Sequence, residues 1–229
     1  MKLLAIDTSS VACSVALQVD DAVAERHEER PREHTRMLVP MINAVLDESG
    51  LAIQDLDAIV LGNGPGSFIG MRIAASVAQG LAFGAGLDVV PVSSLAAVAA
   101  EVFASSEADE VVVAQDAHMN EVYLGRYRHD SAGIPVDVVP EQLHAIAPIQ
   151  GLGGGIRTVA AGYGWKRYPG LTDGNSDKIS EVSDIRYPRA RFLLRMGGRG
   201  LAAGGAVAPQ DVVPAYLRQK VAEIPATPS

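Results

Sequence analysis

The sequence has little that would let it hold a nucleic acid or build a disulfide framework by itself. Its 19 Lys and Arg residues stand against 27 Asp and Glu residues, which gives a net charge of −8 at pH 7. Capturing a phosphate backbone needs a surplus of Lys and Arg, so this composition excludes an autonomous nucleic-acid binder. The single cysteine, Cys13, cannot form an intrachain disulfide, and we expect a reducing, cytoplasmic environment.

Long hydrophobic runs are also missing. The longest uncharged stretch covers residues 73–87 and is interrupted by Gln79 and three glycines, whereas a membrane-spanning helix needs about 20 apolar residues. We therefore expect a buried helix there and no contact with a membrane. Asp7 follows only four apolar residues, which predicts that no signal peptide is present at this end.

The sequence is instead rich in short apolar segments with the periodicities of strands and helices. Alternation and turn residues predict strands at 2–6, 12–19, 22–28, 58–61, 89–92, 111–115, 121–128, 134–139 and 158–161. A helix begins at His34 and is closed by Gly50, although Pro40 should kink it or mark a late start. Further helices are predicted over 67–83, 93–103 and 189–203, and loops over 151–155 and 170–177.

The order of these elements predicts two domains. The first half follows the pattern βββαβαβα, and the second half repeats it in a shortened form. The polar segment 105–109 is the best boundary, which gives one domain over 1–104 and another over 105–229. The helix at 189–203 could pack back on the first domain, and residues 225–229 are expected to fray.

Two turns are candidates for binding phosphate. The loop from Gly64 to Gly70 follows a strand and opens a helix, where free N–H groups can hold an anion. The alternative is that its glycines, Gly66 among them, permit a tight turn and close packing of the helix. Asp7, Thr8 and Ser9 end the first strand, where nucleotide-binding folds place a phosphate-facing turn that normally contains glycine. Hydroxyl groups could bind phosphate through water or magnesium, yet an Asx or Ser turn is favoured. The candidate phosphate contacts are Asp7, Thr8, Ser9, Gly64 and Gly66.

The remaining polar residues form no pattern of a metal site or an activated nucleophile. The five histidines include no His-x-x-x-His pair, and the lone cysteine has no thiol neighbour, so no metal site is predicted. No Gly-x-Ser-x-Gly sequence occurs. His34 lies on the apolar stripe of its helix, where a buried, hydrogen-bonded histidine is expected. No residue is predicted to be catalytic.

The helix over 67–83 is apolar on both sides. Gly70, Ala74 and Ala78 lie on one side and Met71 and Ala75 on the other, each with larger apolar neighbours. Both sides of such a helix must be removed from water. One side can pack on its own sheet, and the other needs the first helix or a second protein chain. A wholly internal helix is the alternative. Arg72 opposes the helix dipole at its amino-terminal end, which suggests a carboxylate or phosphate partner.

Six motifs that follow one another along the chain carry a family resemblance. They are Leu4-Ala-Ile-Asp-Thr-Ser-Ser10, His34-Thr35, Gly64-Pro-Gly-Ser-Phe-Ile-Gly-Met-Arg-Ile73, Pro91-Val-Ser-Ser-Leu95, Asp116 with Glu121-Val-Tyr123, and Pro214-Ala-Tyr-Leu-Arg218. Together they resemble the TsaB (YeaZ) family over essentially the whole chain. Ile69 and Met71 stand where that family more often has Thr and Leu.

The resemblance implies an α/β fold of the actin-like ASKHA (ribonuclease H-like) type, with two lobes that each hold a mixed sheet flanked by helices. It also implies a scaffold subunit for making N6-threonylcarbamoyladenosine in tRNA, which binds and activates TsaD and works with TsaE. The tRNA would be held indirectly through that complex, and the chain would form a homodimer without TsaD. No cofactor of its own is implied, and ATP or ADP would be bound at the level of the complex.

The resemblance also implies which residues lie at the partner interface and that a metal-binding segment is missing. Where TsaD carries a metal-binding segment with two histidines, residues 93–98 read Ser-Ser-Leu-Ala-Ala-Val, so neither a metal nor independent transfer is expected. The rival hypotheses are a self-sufficient ASKHA-type phosphotransferase or peptidase, and a plain homodimer without TsaD. The residues expected at the partner interface are His34, Met37, Leu38, Met41, Val45, Met71, Arg72, Ala74, Ala75 and Ala78.

Overall fold

The computed structural model describes residues 1–218, which form two five-stranded sheets. In the first sheet the strand order is β3-β2-β1-β4-β5. Its strands are β1 (Lys2–Asp7), β2 (Ala12–Val19), β3 (Ala22–Glu29), β4 (Ala58–Gly62) and β5 (Val89–Val92). The second sheet has the order β10-β9-β6-β7-β8. Its strands are β6 (Glu110–Asp116), β7 (Glu121–His129), β8 (Pro135–Ala145), β9 (Thr158–Ala161) and β10 (Glu181–Val182).

The two sheets share one topology, as the predicted repeat requires. In each, three consecutive strands form an antiparallel meander, and the first of them pairs in parallel with a later strand. The turn between β2 and β3 lies at Asp20 and Asp21, and Asp20 adopts a φ of 52°, a conformation that Asp tolerates in tight turns. Two mixed sheets with flanking helices confirm the predicted fold class.

Within residues 1–218, six α-helices flank the sheets. They are α1 (His34–Ser49), α2 (Phe68–Ala85), α3 (Ser94–Ser105), α4 (Tyr163–Arg167), α5 (Pro169–Asp173) and α6 (Arg191–Ala202). Helices α1 and α2 cover one face of the first sheet, and α6 covers the other face, with Leu193 and Leu194 packed against Leu3 and Val60. The approach of α6 is close, since a Cβ atom on Gly197 would lie only 2.3 Å from Val60 Cγ2.

Helix α3 packs on the second sheet although it precedes the polar segment at 105–109. Its Leu95, Val98 and Val102 lie against Val111 and other residues of that sheet. Trp165 and Leu171 cover the opposite face of the sheet. The chain therefore exchanges helices between its halves, with α3 placed on the second sheet and α6 on the first. The boundary between 104 and 105 stays a prediction.

Several element boundaries differ from the sequence predictions. Helix α1 runs from His34 through Pro40 to Ser49, so a late start was wrong, whereas Gly50 closes it with a φ of 64° as predicted. Strand β8 continues past Pro140 to Ala145, because Pro is tolerated on the edge strand of a sheet. The region 170–177 was predicted as a loop, but it begins inside α5, which Pro169 opens at its first turn. The predicted fraying of 225–229 lies outside the described residues.

Helix α2 is long and apolar enough to cross a membrane by length and composition alone. It lies, however, with one side on the first sheet, and its buried residues are Gly70, Met71, Ala74, Ala75, Ala78 and Ala82. The other side of the helix is largely exposed, with Ile69 and Phe83 70% and 79% exposed. The expectation of a buried helix at 73–87 is therefore confirmed for one side of the helix only.

Candidate functional site

The turn after β1 is held by its own side chains. One carboxylate oxygen of Asp7, Oδ1, accepts hydrogen bonds from the backbone N–H and the hydroxyl of Ser9, each at 2.8 Å. The other, Oδ2, accepts one from the Ser94 hydroxyl at 2.6 Å. The Thr8 hydroxyl donates to the carbonyl of Gly70 at 2.6 Å. The contact from Ser9 N–H to Asp7 is an Asx turn, the favoured interpretation.

The glycine loop after β4 is packed directly on this turn. A Cβ atom on Gly66 would lie 2.2 Å from the Ser9 carbonyl oxygen, and one on Gly70 would lie 1.9 Å from the Thr8 carbonyl oxygen. The Ser67 N–H donates to that same Ser9 carbonyl at 2.6 Å. Any side chain at the two glycines would separate the loop from the turn, which confirms close packing as a role for these glycines.

The candidate phosphate contacts consequently do not fit a phosphate group in this arrangement. Asp7 and Thr8 are 1% and 0% exposed, and the hydroxyls of Thr8 and Ser9 already donate inside the chain. Burial raises the pKa of the Asp7 carboxyl, against the opposing effect of its hydrogen bonds to Ser94 and Ser9. A buried carboxylate beside the turn would also repel an anion. The turn serves to join β1, α2 and α3.

A groove between α1 and α2 is the second candidate site. It encloses about 370 Å³. Apolar side chains form most of its surface, and Val39 and Ile69 at its edges are 45% and 70% exposed. The residues that line it are Thr35, Leu38, Val39, Ile69, Arg72, Ile73, Ser76 and Val77. Exposed aliphatic side chains around a concave apolar surface are typical of a protein–protein contact.

Arg72 at the edge of this groove has aromatic partners. Its guanidinium lies 3.7 Å from the ring centroid of Phe68, and its Nε donates to the Tyr216 hydroxyl at 2.9 Å. The rings of Phe68 and Tyr216 are 5.5 Å apart. Within residues 1–218 no carboxylate lies within 4.0 Å of Arg72, so the described residues do not supply the predicted carboxylate, and the predicted phosphate partner stays a prediction. The delocalised guanidinium is instead stabilised by the ring faces.

Comparison with known proteins places the chain among relatives of similar length. The family described as "TsaD: tRNA N6-adenosine threonylcarbamoyltransferase" matches residues 25–169. The tRNA threonylcarbamoyladenosine biosynthesis protein TsaB of Escherichia coli is 38% identical over 97% of this chain and 96% of that protein. Its namesake from Haemophilus influenzae is 36% identical over 96% of this chain and 95% of that protein. The crystal structure of YeaZ from Pseudomonas aeruginosa superposes with a TM-score of 0.85 at 35% identity, over 94% of this chain and 99% of that chain.

The chain belongs to the TsaB (YeaZ) family. This confirms the resemblance carried by the six motifs. It also identifies the two sheets as the lobes of the ASKHA-like fold.

Most residues predicted at the TsaB-type interface face the chain's own core. The buried stripe that meets the first sheet contains Leu38, Met41 and Val45 on α1 and Ala74, Ala75 and Ala78 on α2. The predicted residues that are buried are His34, Leu38, Met41, Val45, Met71, Ala74, Ala75 and Ala78. Of these, only Leu38 also reaches the groove, as its floor. Met37 is partly exposed and Arg72 is exposed.

The physical reason is that the small residues of α2 serve close packing within the monomer. His34 is buried as expected, but its Nε2 atom has no hydrogen-bond partner among the described residues. Of the groove residues, the predicted interface contained Leu38 and Arg72 alone and missed Thr35, Val39, Ile69, Ile73, Ser76 and Val77. The available signal was an apolar residue off the main stripe of its helix, as Val39 and Ile69 both are.

The TsaB-family motif 214–218 forms a strap between the two lobes. The Asn63 amide of the first lobe donates to the Val213 carbonyl at 3.0 Å. At the other end, Arg218 donates to Glu121 Oε2 at 2.6 Å and to the Ala117 carbonyl at 3.0 Å. Arg218 donates hydrogen bonds to a turn in which three consecutive residues, 118–120, have a left-handed backbone conformation. Such backbone is costly for residues other than glycine, so it needs support from its surroundings.

Proposed function

We propose that the chain is a non-catalytic partner subunit in the biosynthesis of threonylcarbamoyladenosine in tRNA, and that it docks a TsaD-type transferase in the groove between α1 and α2. The observation that carries this proposal is the exposed apolar surface of the groove, where Val39 and Ile69 are 45% and 70% exposed. Membership of the TsaB family indicates the pathway, and the groove is the proposed contact surface for the transferase.

The composition of the groove supports a contact with a protein. A specific interface buries about 800 Å² on each partner, with an apolar centre and a polar rim. Here Leu38, Ile73 and Val77 supply the apolar centre, whereas Thr35 and Arg72 contribute polar groups. At about 25 cal/mol for each Å² of apolar surface removed from water, covering the exposed aliphatic side chains favours association.

A non-catalytic role agrees with the hydrogen bonds that the polar side chains already make within the chain. Asp7, the carboxylate at the end of the first strand, already accepts three hydrogen bonds inside the chain. Ser93 caps α3 by accepting from the N–H groups of Leu95 and Ala96. We propose that any ATP or ADP in the complex is held mainly by the partner, because the hydroxyl turn here is closed.

The same groove would serve a second copy of the chain when TsaD is absent. An aliphatic groove has few directional groups, so it accepts a related surface from a homodimer partner as well as one from TsaD. The two contacts would then exclude each other. TsaE would join the assembled complex, and tRNA would be bound mainly by the more basic partners, in agreement with the charge of −8.

The experiment is size-exclusion chromatography with light scattering, for the chain alone and with the TsaD of the same organism. Ile69→Asp places a charge at the edge of the groove, where the side chain is 70% exposed and folding is unaffected. We expect its affinity for TsaD to fall about thirtyfold or more, the effect of losing a contact worth about 2 kcal/mol.

The matched control is Val136→Asp, which places the same charge on exposed β8, where Val136 is 48% exposed. It should bind TsaD like the unaltered chain. Equal binding by Ile69→Asp and the unaltered chain would show that the groove is not the docking surface.

A further inference from the structure

A second cavity lies away from the groove, between α3, α6 and the turn that joins β7 to β8. It encloses about 380 Å³, within the range of small-molecule sites. We name it the α3/α6 cavity. Its walls come from Phe103 on α3, Phe192 on α6, and His129 and Ile134 at the ends of the turn. None of these residues has a role in the proposed docking of TsaD.

The walls of the α3/α6 cavity present flat, apolar surfaces. The rings of Phe103 and His129 meet edge to face, with centroids 5.0 Å apart. Phe103 is partly buried against the core of the second lobe, and Phe192 against the core of the first. Both rings are therefore fixed by packing, and each keeps part of its surface exposed toward the cavity. A planar apolar body is the shape that such walls accept best.

One side of the cavity is positively charged. Arg191 and Arg195 lie four residues apart on α6 and both line the cavity, since residues at that spacing share a helix face. The Arg191 guanidinium is 4.0 Å from Glu25, whose carboxylate is already engaged by Arg189. Within residues 1–218, Arg195 has no carboxylate within 4.0 Å.

The carboxylates near this side of the cavity are otherwise occupied. Asp130 in the β7–β8 turn pairs with Arg199, one helical turn beyond Arg195. Glu101 on α3 lies 3.8 Å from Arg189. The chain as a whole is acidic, with a net charge of −8, yet Arg195, like Arg72 at the groove between α1 and α2, has no carboxylate within 4.0 Å among residues 1–218.

We propose that the α3/α6 cavity binds a planar aromatic or heteroaromatic anion, whose ring contacts the apolar lining that includes Phe103 and Phe192 and whose carboxylate, sulfonate or phosphate group meets Arg195 and Arg191. Guanidinium groups pair with such anions through two parallel N–H donors. A neutral aromatic molecule would leave the guanidinium groups without a partner, and a small inorganic anion would leave the apolar walls uncovered. The ligand class therefore follows from the pairing of the two surfaces.

The test compares two ligands of the same shape in isothermal titration calorimetry with the full chain. Naphthalene-2-sulfonate carries the anion, and 2-naphthol is its neutral counterpart. We expect the sulfonate to bind about tenfold more tightly, and Arg195→Gln to remove that difference, because a hydrogen bond to a charged group has an effect of this size. Ala104→Trp, at an exposed position that lines the cavity, should block both ligands.

Two control variants distinguish this cavity from other surfaces. Arg157→Gln removes an exposed arginine on the second lobe that pairs with Glu181, and it should leave binding of the sulfonate unchanged. Val39→Ser alters the groove between α1 and α2 and should also leave it unchanged. Equal affinities for the two ligands, no effect of Arg195→Gln, or loss of binding in Val39→Ser would each overturn the proposal.

Discussion

Substituting Ala74 by Arg separates the two possible roles of helix α2. If the face that carries Ala74 met a partner, the variant would fold and lose its partner. In the structure Ala74 is 0% exposed and belongs to the core cluster between α2 and the first sheet. We therefore expect Ala74→Arg to unfold or aggregate, whereas Ser76→Arg, on the exposed side of the same helix and lining the groove, should fold and lose TsaD.

The magnitude follows from the burial of Ala74. An oversized side chain in a packed core costs about 1–3 kcal/mol, and a buried charge without a partner costs several kcal/mol more. The sum, about 5 kcal/mol, is comparable to the total stability of an ordinary domain, about 5–15 kcal/mol. For a chain of this size, 1 kcal/mol shifts Tm by about 2–4 °C, so Tm should fall by at least about 10 °C. Ser76→Arg should change Tm by less than about 2 °C.

The assay is thermal unfolding followed by circular dichroism, together with chromatography of each variant with TsaD. A soluble Ala74→Arg variant whose Tm is unchanged and whose TsaD binding is lost would refute the assignment of this face to the core. Full TsaD binding by a folded Ser76→Arg would refute the groove as the docking surface. The two variants carry the same charge two residues apart, so they differ in placement alone.

Two further predictions concern Asp7 and the strap. Burial raises the pKa of Asp7 above its ordinary 3.8, so the native state binds this proton more tightly than the unfolded chain, and stability falls as the pH rises through the window above 3.8. Asp7→Asn should reduce the fall of Tm between about pH 4 and pH 7, and an unchanged slope would contradict the assignment. Arg218→Gln should lower Tm by a few degrees, from the loss of about 1–2 kcal/mol of charge-assisted hydrogen bonding. It should also speed amide exchange at 117–121, whereas Arg157→Gln should leave exchange there unchanged.

Local sequence signals predicted the secondary structure well where they are strongly periodic. The predicted strands at 12–19 and 22–28 and the predicted end of the first helix at Gly50 all occur in the structure. The errors arose where local rules are outweighed by tertiary placement. Pro140 reads as the end of a strand, yet an edge strand can continue through it.

The sheet that α3 covers could not be predicted from the sequence. Helix α3 is apolar on most of its surface, because Ala97 meets the first-lobe cluster while Leu95 and Val98 meet the second. Such a helix has no single apolar face, so its hydrophobic pattern does not indicate which sheet the helix covers. The exchange of α3 and α6 between the lobes depends on contacts distant in sequence.

The face of α2 used by a partner could not be predicted for a related reason. An apolar stripe in a sequence records that a surface is removed from water, whether by the chain's own sheet or by another chain. Only the placement of the sheet showed that Gly70, Ala74 and Ala78 point inward. The positions of the motifs also did not predict the strap, because the residues that Arg218 contacts lie about 100 positions earlier in the chain.

The sizes of the residues on α2 give an independent argument that its outer side is also built for contact. In a surface helix the large apolar residues should lie inside, where they remove most area from water. On α2 the inner side carries mostly glycine and alanine, whereas Ile69 is exposed at the groove, and Ile73 and Val77, which are partly buried against the core, also line it. The small inner residues allow close approach to the sheet, as the Cβ clash at Gly70 with the Thr8 carbonyl shows. They do not explain why β-branched aliphatic residues occupy the outer side. A partner that covers the outer side explains these residues, because it removes from water the apolar area that the monomer leaves exposed.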